Sequence, residues 1–518
     1  MGPTLARRVV WLASAKAAAF TLGFALPLIL VRSLSQTEFG LYKQVFLLVN
    51  TAITILPLGF AMSAFYFLPR FEQARGSGRV VFNIAVFHLM VGGLASLALV
   101  LHPSLLGAIF NSRELVGHAH GLALLGFLAI ATSYLEIIAV ANGEIALAAR
   151  LIVLTNLVKT LLLLGAAWLA PTIEALITAS TIHYLLQAGL LFWYLASRFP
   201  RFWAAGDWHV MRAQLGYALP LGAAANLSMA QLDLHSYFVA GAFDAATFAI
   251  YAVGCFQLPF LYIVSDSVGA VMIPAVGRLQ LEGRSGEIVR LVASMMRKLG
   301  ALYFPLYAGL LVGGREFITV LFTESYRGSW PIFAVNLTLI PLCILTSACD
   351  PVLRAYPTCT SVLVRIRVAL IAVLVLALWA VTAHHWLLGA IVVMVSVNLV
   401  DRLVVSVMLG RMLKVRWRDR ALFGDVAKLA LAAAVAGLVA AGVRVLVTGA
   451  APLVVLGASS ASLAAVYVSL VWALGVPTPA ELDAVRRRAL AIGLRIGLGR
   501  GPAMSDVAVG SGRAGLEP

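Results

Sequence analysis

The chain has 518 residues, of which 62% are apolar and 12% charged, with 38 Lys and Arg against 22 Asp and Glu and a formal charge of +16. Soluble domains run near 45–50% apolar and about 25% charged, so a water-soluble protein is excluded, and a disordered one with it. The solvent this composition asks for is lipid. At roughly 20 apolar residues per span, the connections left over are too short for a folded domain of ordinary size, which argues against membrane enzymes carrying a large soluble module.

About fourteen apolar stretches follow in order: 8–31, 43–68, 80–101, 119–141, 151–170, 174–197, 214–240, 247–274, 298–320, 331–353, 363–383, 387–410, 427–447 and 453–475. They are too long and too continuous for barrel strands, so they are expected to be helices. Arg7 and Arg8 precede the first run as they would in a signal peptide, but the run is interrupted by Lys16 and continues to Val31, so it is read as a retained span. With the N-terminus inside, 29 of the 38 basic residues fall on the inner side, six outside and three within spans. That asymmetry predicts both termini cytoplasmic and accounts for the net charge as a topology signal, with no nucleic acid needed.

The inner segment 278–298 reads as a short amphipathic helix on the membrane surface. After the last span, Pro477-Thr478-Pro479 starts a helix with Thr478 as cap, then Arg486-Arg487-Arg488, and the chain is expected to be disordered after about 500. An internal repeat is visible: Glu38-Phe39-Gly40-Leu41-Tyr42 recurs as Thr247-Phe248-Ala249-Ile250-Tyr251, at an offset of 209. Both copies enter from the same side, so the repeat is parallel. The resulting division is an N-terminal lobe over 1–200 (spans 1–6), a C-terminal lobe over 201–412 (spans 7–12), two additional spans in 413–476, and a cytoplasmic tail over 477–518.

The stretch Arg32-Ser-Leu-Ser35-Gln-Thr-Glu38-Phe39-Gly40-Leu-Tyr42, together with Gly216-Tyr217-Ala218-Leu219-Pro220-Leu221-Gly222 and Asp233, resembles the polysaccharide biosynthesis proteins. These are the Wzx-type lipid-linked oligosaccharide flippases of the multidrug/oligosaccharidyl-lipid/polysaccharide exporter (MOP) superfamily. The resemblance implies an all-α polytopic fold of twelve or fourteen helices, in two six-helix lobes around a central cavity; the two extra helices here would follow the lobes. It does not name a substrate.

An ionisable residue inside a span is costly and so a functional candidate. Lys16, about two turns into span 1, suits the diphosphate of a polyprenol-linked sugar, a role toward which the resemblance also points; the competing reading is snorkelling to the inner headgroups. Lys159 lies well inside span 5 beside Asn156, as a second cavity cation. Lys43 reads as an outer-interface anchor. In span 7, Asn226, Ala230, Asp233 and Tyr237 share one helix face, with Gln231 and His235 facing elsewhere. Span 8 adds Gln257, Tyr262 and Asp266. Asp233 and Asp266 are the coupling-ion candidates, or partners for Lys16, or inter-helix hydrogen-bonding groups. Glu136 and Asp350 are weaker candidates. Adjacent Asp401 and Arg402 point about 100° apart and need not pair.

The histidines are scattered without zinc spacing, no phosphate-binding loop or dinucleotide fingerprint occurs, and Cys255, Cys343, Cys349 and Cys359 lack CxxC or metal-ligand spacing. No cofactor, metal or catalytic group is therefore expected. The function expected is translocation of a polyprenyl-diphosphate-linked oligosaccharide, a polysaccharide repeat unit or precursor, across the cytoplasmic membrane by alternating access. The partners expected are that substrate and membrane lipid, with a polysaccharide polymerase and glycosyltransferases beyond them. A multidrug or small-molecule exporter of the same superfamily is the alternative, and a polytopic glycosyltransferase, ligase or polymerase the more remote one.

Overall fold

A computed structural model describes residues 5–71, 74–204, 206–356 and 360–477. Among the described residues there is no strand. The first half runs through α1 (Leu5–Ser33), α2 (Gln36–Ile55), α3 (Ser63–Phe67), α4 (Ala74–Leu101), α5 (Ser104–Phe110), α6 (Arg113–Gly117), α7 (Ala119–Thr132), α8 (Leu135–Ala141), α9 (Ile145–Leu169) and α10 (Ile173–Arg198). The second half continues with α11 (Trp208–Ala242), α12 (Ala245–Gly254), α13 (Pro259–Leu281), α14 (Ser285–Phe322), α15 (Trp330–Asn336), α16 (Leu339–Ala355), α17 (Thr360–Ala383) and α18 (Leu387–Met412). Two further helices, α19 (Gly424–Leu446) and α20 (Pro452–Ala473), pack on each other and on α14. The tail expected over 477–518 and Cys359 lie outside the described residues, apart from position 477 itself.

Among the described residues, ten helices are long and apolar enough to cross a membrane, and twelve spans result if two bent pairs each count once. The pairs are Gln36–Ile55 with Phe60–Arg70, bent by 43°, and Glu324–Asn336 with Leu339–Ala355, bent by 41°. The chain is thus a multi-pass membrane protein, all-helical with ten to twelve such spans among the described residues. The count of fourteen adds 214–240 and 247–274, which are helical but differ in kind. α11 is one continuous helix loaded with Gln214, Asn226, Gln231, Asp233 and His235, and 247–274 is divided between α12 and α13. Large apolar side chains that face outward, such as Leu94 (62% exposed), Trp168 (82%) and Leu446 (84%), are what a lipid-facing surface requires.

The segment 278–298 is not a separate surface helix. α13 runs to Leu281, Gly283 takes the left-handed conformation (φ 69°) that closes a helix, and α14 starts at once. Arg284 braces the turn by donating to Glu282 (2.7 Å) and Glu287 (2.9 Å). At 38 residues α14 is about 57 Å long, nearly twice the hydrocarbon thickness, so it extends well past the bilayer.

Positions 209 residues apart begin α2 and α12 in the same way. Ser35 caps α2 by accepting from the Glu38 N–H (3.2 Å), and Asp244, 209 residues on, caps α12 by accepting from the Thr247 N–H (2.8 Å). The two helices then pack together, burying Phe39, Tyr42, Phe248 and Tyr251 in one core with Tyr303 and Tyr326. Their approach is close enough that a Cβ on Gly40 would fall 1.8 Å from the Ala245 carbonyl oxygen. Lipid supplies no hydrophobic drive between helices, so contact at small residues of this kind is what holds them. At the start of α11, Asp207 caps the helix by accepting from the His209 and Val210 N–H groups (2.9 and 3.2 Å) and pairs with Arg79 of α4 at 2.8 Å. The Val210 and His209 N–H groups and the Arg79 charge hold its carboxyl below the usual carboxylate range.

Candidate functional site

Three adjoining cavities lie between the two halves and within the first. The central one, about 410 Å³, is walled by α1 (Gly23, Pro27), α2 (Tyr42, Lys43, Phe46, Asn50), α9 (Asn156, Lys159), α11 (Asp233, His235, Ser236) and Gln257 in the α12–α13 break. A second, about 500 Å³, shares Gly23, Pro27, Lys43, Asn156 and Gln257 with it and adds Lys16, Phe20, Phe24 and Glu136. A third, about 220 Å³, joins Glu136, Asn156 and Lys159 to Thr155, His183, Tyr184 and Gln187. The local sequence makes this room. Gly23 leaves open space where a side chain would stand, and Pro27 four residues on cannot donate to the Gly23 carbonyl.

The three lysines of these walls differ in their partners. Lys16 Nζ lies 2.8 Å from Glu136 Oε1, with both side chains about half exposed. Lys159 Nζ stands 4.7 Å from the centre of the Phe46 ring and Lys43 Nζ 5.4 Å from that of Phe39. Neither has a described carboxylate within 4.0 Å. Lys43 is therefore not an outer-interface anchor: α2 begins at Gln36 rather than near 43, which carries Lys43 two turns into the helix and onto the cavity wall.

Of the span 7 stripe, Asp233 alone faces the central cavity. Asn226 instead donates to the Ile55 carbonyl (2.7 Å) at the end of α2, and Tyr237 donates to the Leu47 carbonyl (3.3 Å) while its ring packs on Phe110. That helix face is largely taken up in stitching α11 to α2. His235, from the other set, does reach the cavity, its Nδ1 2.7 Å from the Tyr251 hydroxyl. The side chain of Tyr262 lies outside the described residues.

Asp266 does not join Asp233 and Lys16. It opens on a different cavity of about 440 Å³, between α13 and α16, with Ser265, Thr346, Ser347, Asp350 and Arg354. The reason is the break at 255–258: Gln257 belongs to the turn and faces the centre, whereas Asp266 sits two turns into α13 and faces α16. Behind this cavity Arg402 pairs with Asp350 at 3.0 Å and folds back to Asp401 at 3.4 Å, so the adjacent residues do pair, through the reach of the arginine. Among the described residues no group of three or more His, Cys, Asp or Glu is arranged to hold a metal ion.

Sequence reasoning missed Lys43, Asn50 and His235 as cavity residues and underweighted Glu136. For Lys43 a signal was present, since the Ser35-x-x-Glu38 cap places the helix start before it.

Among solved structures the fold is similar to the lipid II flippase MurJ in an inward closed conformation, with a TM-score of 0.70 at 12% identity, covering 89% of this chain and 98% of that one. It is also similar to an inward-facing multidrug resistance MATE family transporter of the MOP superfamily, with a TM-score of 0.55 at 13% identity, covering 78% of this chain and 94% of that one. At such identities the likeness is one of fold. No curated protein matches the chain in sequence. The family model described as polysaccharide biosynthesis protein matches residues 29–331, more than half of the length, and the chain belongs to that family.

Proposed function

We propose that the chain is a flippase that carries an anionic, polyprenyl-diphosphate-linked oligosaccharide across the cytoplasmic membrane. One observation carries the reading: Lys16, Lys43 and Lys159 line the adjoining cavities, and the last two have no described carboxylate partner. A charge held in a span costs about 2.5–3.5 kcal/mol on insertion scales, which an anionic cargo would offset. The diphosphate would sit among the lysines, and Asn50, Asn156, Gln257 and Asp233 would meet sugar hydroxyls. Asp233 remains a candidate for a coupling ion, as does Asp266 in its own cavity. The flippase named among the solved structures of this fold and the family membership support this reading over drug export.

The lobes over 1–200 and 201–412 would rock around the cavities, with both termini on the cytoplasmic side and α19–α20 as an addition to the second lobe. Glycosyltransferases would supply the cargo inside and a polymerase would take it outside; no bond is made or broken in the step itself. The test is reconstitution of the full chain in vesicles with a fluorescent polyprenyl-diphosphate sugar. Transbilayer movement is expected for the wild type and reduced at least tenfold in Lys43→Gln/Lys159→Gln at equal protein content. Unchanged movement would refute the reading, and export of cationic dyes with no lipid movement would favour the drug-exporter alternative.

A further inference from the structure

The charge pattern of the same cavities points to a role for the one carboxylate that is paired there. Resting on the anionic-cargo reading, we propose that Glu136 is a positioning residue that holds on Lys16 the place of a cargo phosphate, so that binding is an exchange of anions on one ammonium.

Two observations carry this. The pair is short, 2.8 Å, yet both side chains are about half exposed, and both line the 500 Å³ cavity. A half-exposed charged contact is readily exchanged, being worth only about 1.5- to 5-fold in an equilibrium. The pair also does not staple two packed helices. α8 packs on α9 and α3, whereas α1 packs along α9, so Glu136 reaches out to Lys16 from a helix held elsewhere.

The carboxylate has somewhere to go. Glu136 also lines the 220 Å³ cavity whose wall includes Lys159. Arrival of a phosphate at Lys16 would release Glu136 into that third cavity. Departure of the cargo would let it return, so that Lys16 is not left bare in the membrane and release is assisted.

The experiment uses the full chain in nanodiscs, with farnesyl diphosphate as probe, farnesol as its neutral counterpart and binding measured by calorimetry. Glu136→Gln should bind farnesyl diphosphate about 2- to 5-fold more tightly than wild type, Glu136→Asp should match wild type within about twofold, and Lys16→Gln should bind more weakly. In Lys16→Gln/Glu136→Gln the gain should vanish, because Glu136 acts only through Lys16. A folded Glu136→Gln that binds no tighter, or a gain that persists without Lys16, overturns this inference alone; Glu136→Ala serves the same comparison if the amide variant is unstable. If wild type does not prefer farnesyl diphosphate to farnesol, the anionic-cargo reading falls and takes this inference with it.

Discussion

Replacing Gly222 with alanine is expected to damage the protein where α11 crosses the break in the second span. A Cβ at Gly222 would stand 1.7 Å from the Leu58 carbonyl oxygen and 2.4 Å from its carbon. That is roughly 1.6 Å short of an ordinary C···O contact of about 3.3 Å. Both clashing atoms are backbone, and the backbone there cannot retreat cheaply. Leu58 and Gly59 already hold left-handed angles (φ 48° and 65°), and Asn226 ties the Ile55 carbonyl to α11 at 2.7 Å. The overpacking cost is about 1–3 kcal/mol, offset by at most about 1 kcal/mol for the better helix propensity of alanine. Gly216 is the control: it lies on the same helix with nothing within 4 Å of a Cβ, so Gly216→Ala keeps only the favourable part. Thermal unfolding in one detergent should place Gly222→Ala below wild type and Gly216→Ala at or above it. If the two melt alike, the close approach of α11 to the 57–59 turn is not what the structure says it is.

Arg32 donates to the Leu321 and Val320 carbonyls (both 2.8 Å) at the end of α14, beside Gln36 donating to the Ser325 carbonyl (2.7 Å). Arg32→Ala should make a cysteine at Val45, in a background without native cysteines, about tenfold more reactive to an impermeant thiol reagent, for a loss of about 1.4 kcal/mol; equal labelling would show that the contact holds nothing closed. Arg444 makes a fork on Glu316 of α14 (2.8, 3.1 and 3.2 Å) in a partly buried setting. Arg444→Leu should cost about 2 kcal/mol in denaturation, below the 3–5 kcal/mol of fully buried pairs, and Arg444→Leu/Glu316→Leu should recover most of it; a double variant as unstable as the single would contradict this. Asp233→Asn and Asp266→Asn open on separate cavities, so their effects on transport rate should multiply within about twofold, and a strongly non-multiplicative result would mean one shared site. Asp207 has a depressed pKa, so its stabilisation of the α4–α11 junction is complete above the ordinary carboxylate pKa and is lost as pH falls through the depressed one. Asp207→Asn should flatten that acid limb in hydrogen exchange at 208–211, and an unaltered limb would assign it to other groups.

Much of this molecule was legible residue by residue. Apolar runs of about 20 residues are most simply used to cross a membrane, and the stretches read as spans are helical apart from breaks such as those at 56–59, 255–258 and 337–338. The caps at Ser35 and Asp244 follow from side-chain chemistry within three residues, and the repeat offset of 209 could be counted. Lys16 and Lys159 stood out because charge in hydrocarbon is expensive wherever the helix faces.

Tertiary structure decided which of these costly groups share a space. The heptad-like stripe on α11 was visible, but its Asn226 and Tyr237 are used up against α2 while Asp233 is left to the cavity, a division set by what lies opposite rather than by helix period. The pairing of Lys16 with Glu136 joins residues 120 positions apart, and the separation of Asp233 from Asp266 depends on a break four residues long. Periodicity is a property of one helix, whereas a cavity is the space several helices fail to fill, and that is determined only when they pack.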